Sequence, residues 1–142
     1  MKELNVLKTI IKLGAIALGL FAYLFLPAES ISDASFFYIE GTASWYAEFS
    51  PGIRETTANM EIFNHDNLTC AIWDVPFGTI LEVTNIDNGK KVIVRVNDRG
   101  PAKRLCADGR VIDLTMAAFG RIEDLDRGLT RVKIRVITPV EN

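Results

Sequence analysis

Apolar and polar residues alternate over residues 91–97. Val92, Val94 and Val96 fall on one face, with Ile93 and Arg95 on the other. That period of two marks a half-buried strand. Asp87-Asn88-Gly89-Lys90 separates this run from another apolar one over 79–86. Asn-Gly between two such runs is the strongest short-range hairpin signal, because both residues tolerate positive φ. Val132, Ile134 and Val136 alternate with Arg131, Lys133 and Arg135. They predict a last strand over 131–136 whose outward cations discourage edge-to-edge pairing. Residues 36–45 are aromatic and β-branched enough for a first strand, with Gly41 as a bend or bulge. One helix is expected over 114–119, with Asp113 as its N-cap and Gly120 at its end. Loops are expected over 50–57 and 100–109. Several short strands, one hairpin and one or two short helices predict an all-β fold, a small barrel.

The first thirty residues follow a different rule. Lys2, Lys8 and Lys12 lead into an uncharged run over 13–28, rich in Leu, Ala, Ile and Phe. As a helix at about 1.5 Å per residue it spans roughly 24 Å, short of the ~30 Å bilayer core. A basic lead, a short apolar stretch and then small residues (Ala28 and Ser30, or Ser32 and Ala34) form the layout of a secretory signal peptide. The alternative is an uncleaved signal anchor with Lys12 snorkelling to the interface, the one case in which the chain meets a membrane. The chain therefore divides into a signal peptide or short signal anchor over 1–30 and a barrel domain over 36–138. An exported protein of the periplasm or cell envelope is expected.

Charge and cysteine content narrow the chemistry. The first thirty residues hold three Lys and two Glu, so the 16 basic and 18 acidic residues of the whole chain become 13 and 16 without them. A net charge of −3 argues against a nucleic-acid partner bound by phosphate neutralisation. Cys70 and Cys106 are the only cysteines. In an oxidising compartment they suggest one disulfide, with two buried thiols as the alternative. His65 is the only histidine and no paired Cys or His spacing of the zinc type occurs. Neither a metal nor another cofactor is expected.

Two segments place carboxylates where chemistry is plausible. Asn97-Asp98-Arg99 ends the alternating strand and is closed by Gly100-Pro101, which holds polar side chains on a rigid element while the backbone turns away. Glu61 lies between Met60 and Ile62-Phe63. Burial among such neighbours would raise a Glu pKa, as a general acid near neutral pH requires. Two carboxylates in unlike surroundings suit acid and base duties in glycosidic cleavage. The bland alternatives are an Asp98 that caps a turn and a Glu61 that is a solvated surface charge.

A set of motifs runs in order along the chain. It comprises Gly41-Thr42-Ala43-Ser44-Trp45-Tyr46, Thr57-Ala58-Asn59-Met60-Glu61, Leu68-Thr69-Cys70-Ala71 and Val75-Pro76-Phe77-Gly78-Thr79. Val83-Thr84-Asn85-Ile86-Asp87-Asn88-Gly89-Lys90, Val94-Arg95-Val96-Asn97-Asp98-Arg99-Gly100-Pro101 and Arg110-Val111-Ile112-Asp113-Leu114-Thr115 complete it. Together they resemble the rare lipoprotein A family over residues 41–137. The resemblance implies a six-stranded double-psi β-barrel and an endolytic lytic transglycosylase, a lyase acting on bacterial peptidoglycan. Such enzymes prefer glycan strands stripped of stem peptides. They cut the β-1,4 bond after N-acetylmuramic acid (MurNAc), and the sugar's own 6-hydroxyl leaves a 1,6-anhydro end.

By motif position the acidic site residues are Asp98 and Glu61. Tyr46, Arg54, Trp73, Asn97 and Arg99 are expected to bind substrate, aromatic rings by stacking on sugars and arginines by meeting the lactyl carboxylate of the muramic unit. Many members have a histidine where this chain has Ile72, so the alternative is a non-catalytic peptidoglycan-binding or expansin-like wall-loosening domain. No cysteine follows the apolar run to accept lipid, and a non-lipidated protein is expected. Cys70 stands where the family usually has alanine, and Cys106 stands in a loop longer than the family's usual one. A compensating Cys70–Cys106 disulfide is therefore expected.

Overall fold

The structure, a computed structural model, describes residues 38–138. The signal peptide or anchor expected over 1–30 lies outside the described residues. In order the elements are β1 (Tyr38–Tyr46), β2 (Thr69–Ala71), β3 (Ile80–Asn85), β4 (Lys91–Asp98), α1 (Lys103–Cys106), β5 (Arg110–Thr115) and α2 (Met116–Ile122). A 3-10 turn (Leu125–Arg127) and β6 (Leu129–Thr138) follow.

The six strands close into a barrel in the order β1-β5-β2-β4-β3-β6. Two neighbour pairs, β1/β5 and β2/β4, are parallel. The other contacts are antiparallel, including β2/β5 between those pairs. This is a double-psi β-barrel. Alternation supplies its interior: Leu81 and Val83, then Val92, Val94 and Val96, then Ile112 and Leu114, then Val132 and Ile134 are all buried. Each such side chain contributes about 1.5–3 kcal/mol through burial. Phe119 and Ile122 of α2 join the same core, and Asn85 anchors the helix end by donating to the Ile122 carbonyl at 3.0 Å.

Three expectations change. The helix begins at Met116 with Thr115 as N-cap, and it runs through Gly120 to Ile122. Asp113, Leu114 and Thr115 are strand instead, because β5 pairs on both sides, with β1 and with β2. β6 is no edge, since it pairs with β1 and β3. A closed barrel has no edge to protect. The cations of β6 instead meet acids of the same outer surface: Arg131 with Asp87, Lys133 with Glu40 and Arg135 with Glu82.

One irregularity sets up the site. Cys70 pairs with Val96 and Ala71 with Asp98, so Asn97 is an extra residue on β4. Strict alternation would aim Asp98 into the core with Val92, Val94 and Val96. The bulge turns it to the outer face, the face of Arg95. Residues 47–68 connect β1 to β2 and pack over that face. There Tyr46, Phe63 and Ala71 form a second small core with Ile53 against it. The Tyr46 and Phe63 rings stack at 4.7 Å with 6° between their planes.

Candidate active site

A groove of about 410 Å³ lies on this outer face, lined in part by Arg54, Thr57, Ala58, Met60, Asp98 and Arg99. Its carboxylate is fixed by backbone. Asp98 Oδ1 accepts from the Ala58 amide at 2.9 Å and from its neighbour's amide, Arg99 N, at 2.8 Å. Ala58 is held in turn by the tight turn around it. Thr57 N donates to the Glu61 carbonyl at 2.9 Å, and Met60 takes a left-handed φ of 72°. Asn59 Oδ1 accepts from Thr57 Oγ1 at 2.6 Å and from Glu61 N at 3.2 Å. Met60, at 77% exposure, is turned to solvent at the groove wall.

Glu61 is not part of the groove lining. Its carboxylate takes both nitrogens of the Arg95 fork at 2.7 and 2.8 Å, Asn97 Nδ2 at 3.1 Å and Asn59 Nδ2 at 2.8 Å. These bonds, Arg95's first, hold its pKa down at about 2. The expected upward shift is therefore reversed. Ile62 points to solvent instead of covering the carboxylate, and bidentate charge-assisted bonds favour the ionised form.

The other expected binding residues separate. Arg54 is exposed in the groove. Arg99 lines the groove too, but its guanidinium lies over the Phe77 ring at 3.6 Å and donates to the Ile72 carbonyl at 3.2 Å. Tyr46 lies under the groove at 7% exposure, its face covered by Phe63, so it offers no platform to a sugar. Asn97 is buried and spent on Glu61. Trp73 belongs to a different cavity of about 260 Å³, with Ile39, Lys103 and Cys106. Its indole donates to the Pro101 carbonyl at 2.6 Å and its ring lies 3.8 Å from Lys103 Nζ. His65 contacts Glu48 and is absent from the groove lining.

The expected disulfide is absent. Both cysteines are free thiols. Cys70 faces the barrel core, where burial pushes its thiol pKa up. Cys106 sits on α1, its sulfur 3.5 Å from the Pro101 carbonyl oxygen. Among the described residues no group of three His, Cys, Asp or Glu side chains gathers to hold a metal.

Sequence reasoning missed Asp113. It sits on the outer face of β5, and its Oδ1 accepts a hydrogen bond from Ser44 Oγ. Ile112 and Leu114 on either side of it are buried, and that alternation was the available signal; its reading as an N-cap concealed it.

Residues 38–134 match the family model described as "Lytic transglycolase". The probable endolytic peptidoglycan transglycosylase RlpA of Treponema pallidum is 48% identical over 100 residues, which cover 70% of this chain and 30% of that protein. The endolytic peptidoglycan transglycosylase RlpA of Pseudomonas aeruginosa is 42% identical over 111 residues, 78% of this chain and 31% of that one. The chain thus spans about a third of the length of these curated relatives. Among solved structures, the Streptomyces papain inhibitor superposes with a TM-score of 0.56 at 23% identity, covering 72% of this chain and 96% of the inhibitor. That is a likeness of fold alone.

Proposed function

The chain belongs to the lytic transglycolase, or rare lipoprotein A, family, and from that premise we propose that it is an exported peptidoglycan lyase. It cleaves the β-1,4 bond between MurNAc and GlcNAc and leaves a 1,6-anhydro end. The observation that carries this reading is the Asp98 carboxyl in the groove, with Oδ1 fixed by the Ala58 and Arg99 amides.

Such fixation suits a group that works twice. Protonated Asp98 gives its proton to the glycosidic oxygen as the C1–O bond breaks. The 6-hydroxyl oxygen of the same muramic unit then bonds to C1, and its proton returns to Asp98. No water is consumed, and the carboxyl ends as it began. Glu61 does not share this duty, because a carboxyl with a pKa of about 2 carries no proton near neutral pH. Clamped by Arg95, it orders the turn whose Ala58 amide fixes Asp98.

Arg54 is the groove cation open to an incoming anion, while Arg95 and Arg99 are engaged. A free lactyl carboxylate suits Arg54, and a stem peptide converts that carboxylate to a neutral amide. This accounts for a preference for denuded strands.

One observation favours a second reading. Ile72, where many members carry histidine, is 2% exposed in the barrel core and moves no proton. On that reading the domain binds glycan without cutting it.

The test is incubation of the purified protein with denuded glycan strands and mass spectrometry of the products. 1,6-Anhydro ends are expected from the native protein and not from Asp98→Asn. Binding of the strands without anhydro ends would establish the second reading instead.

A further inference from the structure

A row of paired residues crosses four strands at the floor of the groove. Ser44 of β1 pairs with Asp113 of β5, Asp113 with Ala71 of β2, and Ala71 with Asp98 of β4. Residues directly opposite one another in neighbouring strands project from the same face. Asp113 and Asp98 therefore stand on either side of Ala71, with Cα atoms about 10 Å apart from two strand spacings. The Ala71 methyl stands between the two residues in the row. The chain beyond Asp98 closes over that methyl. A Cβ placed on Gly100 would lie 3.1 Å from the Ala71 Cβ and 3.3 Å from Asp113 Oδ2.

Tyr46 completes the enclosure. Its ring packs in one cluster with Ala71 and Phe63, and its hydroxyl is buried with no hydrogen-bond partner of good geometry. Such a group is costly to leave unpaired in a folded protein. Both carboxyls lie close enough to act on it. Burial first, and then the charge of Asp98, with smaller contributions from Cys70 and Asp113, push the phenol above its ordinary range.

Resting on the reading of Asp98 as the proton-transferring group, we propose that Asp113 is a positioning residue for the reaction. The two carboxyls hold one proton between them, with the Tyr46 hydroxyl as the group that connects them. Asp113 keeps the proton at rest. The hydroxyl passes it by accepting from Asp113 and donating its own proton to Asp98, which then serves the glycosidic oxygen. When the muramic 6-hydroxyl returns a proton to Asp98, the pair again holds one.

The surroundings suit this arrangement. Burial, the largest cause, and the nearby Asp98 charge raise the Asp113 pKa, against the Ser44 hydrogen bond and Arg110. The charged and titratable groups around the pair are Tyr46 from β1 and Arg110 from β5 itself, with Arg54 and Arg99 lining the groove beside Asp98 and Cys70 of β2 facing the core behind it. Lys103 of α1, which packs beside β5, is occupied by the Trp73 ring, and Arg121 of α2 is exposed to solvent. No cation is therefore bonded to either carboxyl among the described residues. Two nearby carboxyls without a bonded cation do not ionise independently.

The experiment is carboxyl-carbon NMR titration of the protein with labelled aspartate, in the native form and in Asp113→Asn, Asp98→Asn and Tyr46→Phe. Coupling is expected to show as a fall in the Asp113 midpoint when Asp98 is replaced, because the Asp98 charge is one of the causes that raise it. Unchanged midpoints would overturn the pairing, whether or not the protein turns over substrate.

The pH profile of anhydro-product formation is the second arm. Asp113→Asn is expected to shift its limbs and lower kcat about tenfold or more with KM nearly unchanged. Tyr46→Phe, which removes the hydroxyl and keeps the ring stacked on Phe63, is expected to lower kcat in the same direction while the fold is kept. Native profiles in both variants would overturn the role. A native protein with no product but with coupled titrations would instead count against the proposed reaction and leave the pair standing.

Discussion

Glu61 and the Asp98–Asp113 pair occupy the same outer face of one barrel, yet their environments are opposites. Glu61 is 41% exposed in its side chain and surrounded by donors, the Arg95 fork among them. Asp113 is mostly enclosed, with a hydroxyl as its hydrogen-bond partner and a second carboxyl acting on it. Hydrogen bonds and a cation commit the first group to its charge. Burial and like charge leave the second able to hold a proton. The difference teaches that two acids in one motif set need not divide a reaction between them. Here one builds the turn that aims the other.

The largest expected effect separates the two directly. Asp98→Asn is expected to lower anhydro-product formation by about 10²–10⁴-fold, the range for loss of a general acid–base group. Glu61→Gln keeps the side chain's shape but sets an NH2 donor against donors on one side of the clamp, and is expected to cost only about tenfold through misplacement of Ala58. Equal losses in the two variants, measured on the same glycan, would break the comparison.

Next in size is the support beneath the groove. Phe63→Ala removes the ring stacked on Tyr46 and is expected to destabilise the fold by about 3–5 kcal/mol. Urea denaturation followed by tryptophan fluorescence measures it. A change below about 1 kcal/mol would show that the small outer core is no part of the cooperative structure.

Arg95→Gln takes the cation from Glu61. It is expected to cost about 1 kcal/mol, limited by solvent screening of a half-exposed pair. It should also return the Glu61 midpoint from about 2 towards its ordinary value of 4.5. A midpoint that stays near 2 in an NMR titration would assign the shift to Asn59 and Asn97 instead.

The smallest effect has opposite signs at the two sites. Glu61 binds its proton less readily when folded, so its contribution is present above pH 4.5 and is lost as pH falls towards 2. Asp113 binds its proton more readily when folded. Its contribution is full below the ordinary 3.8 and is lost as pH rises through the raised value. Thermal melts from pH 2 to 7 should therefore show Glu61→Gln losing stability relative to native towards neutral pH and Asp113→Asn gaining it. Parallel curves for the two variants would mean that their environments do not differ as described.

Much of the barrel was legible from local pattern. The Val92–Val94–Val96 alternation, the Asn88-Gly89 turn and the Val132–Ile134 run each lie on the strands expected of them, because side-chain period and turn chemistry are properties of a few adjacent residues. Ordered motifs also carried the family and the double-psi fold. Three things waited for closure of the barrel. β2 is only Thr69–Ala71, too short for any period to register. Asp113 is a strand residue because β1 and β2 both pair with β5, and that pairing overrides a good capping sequence. Asp98 faces the groove because Asn97 has no partner on β2. A bulge is a mismatch between two strands, so neither strand alone encodes it, and one unmatched residue reverses the face of every side chain beyond it.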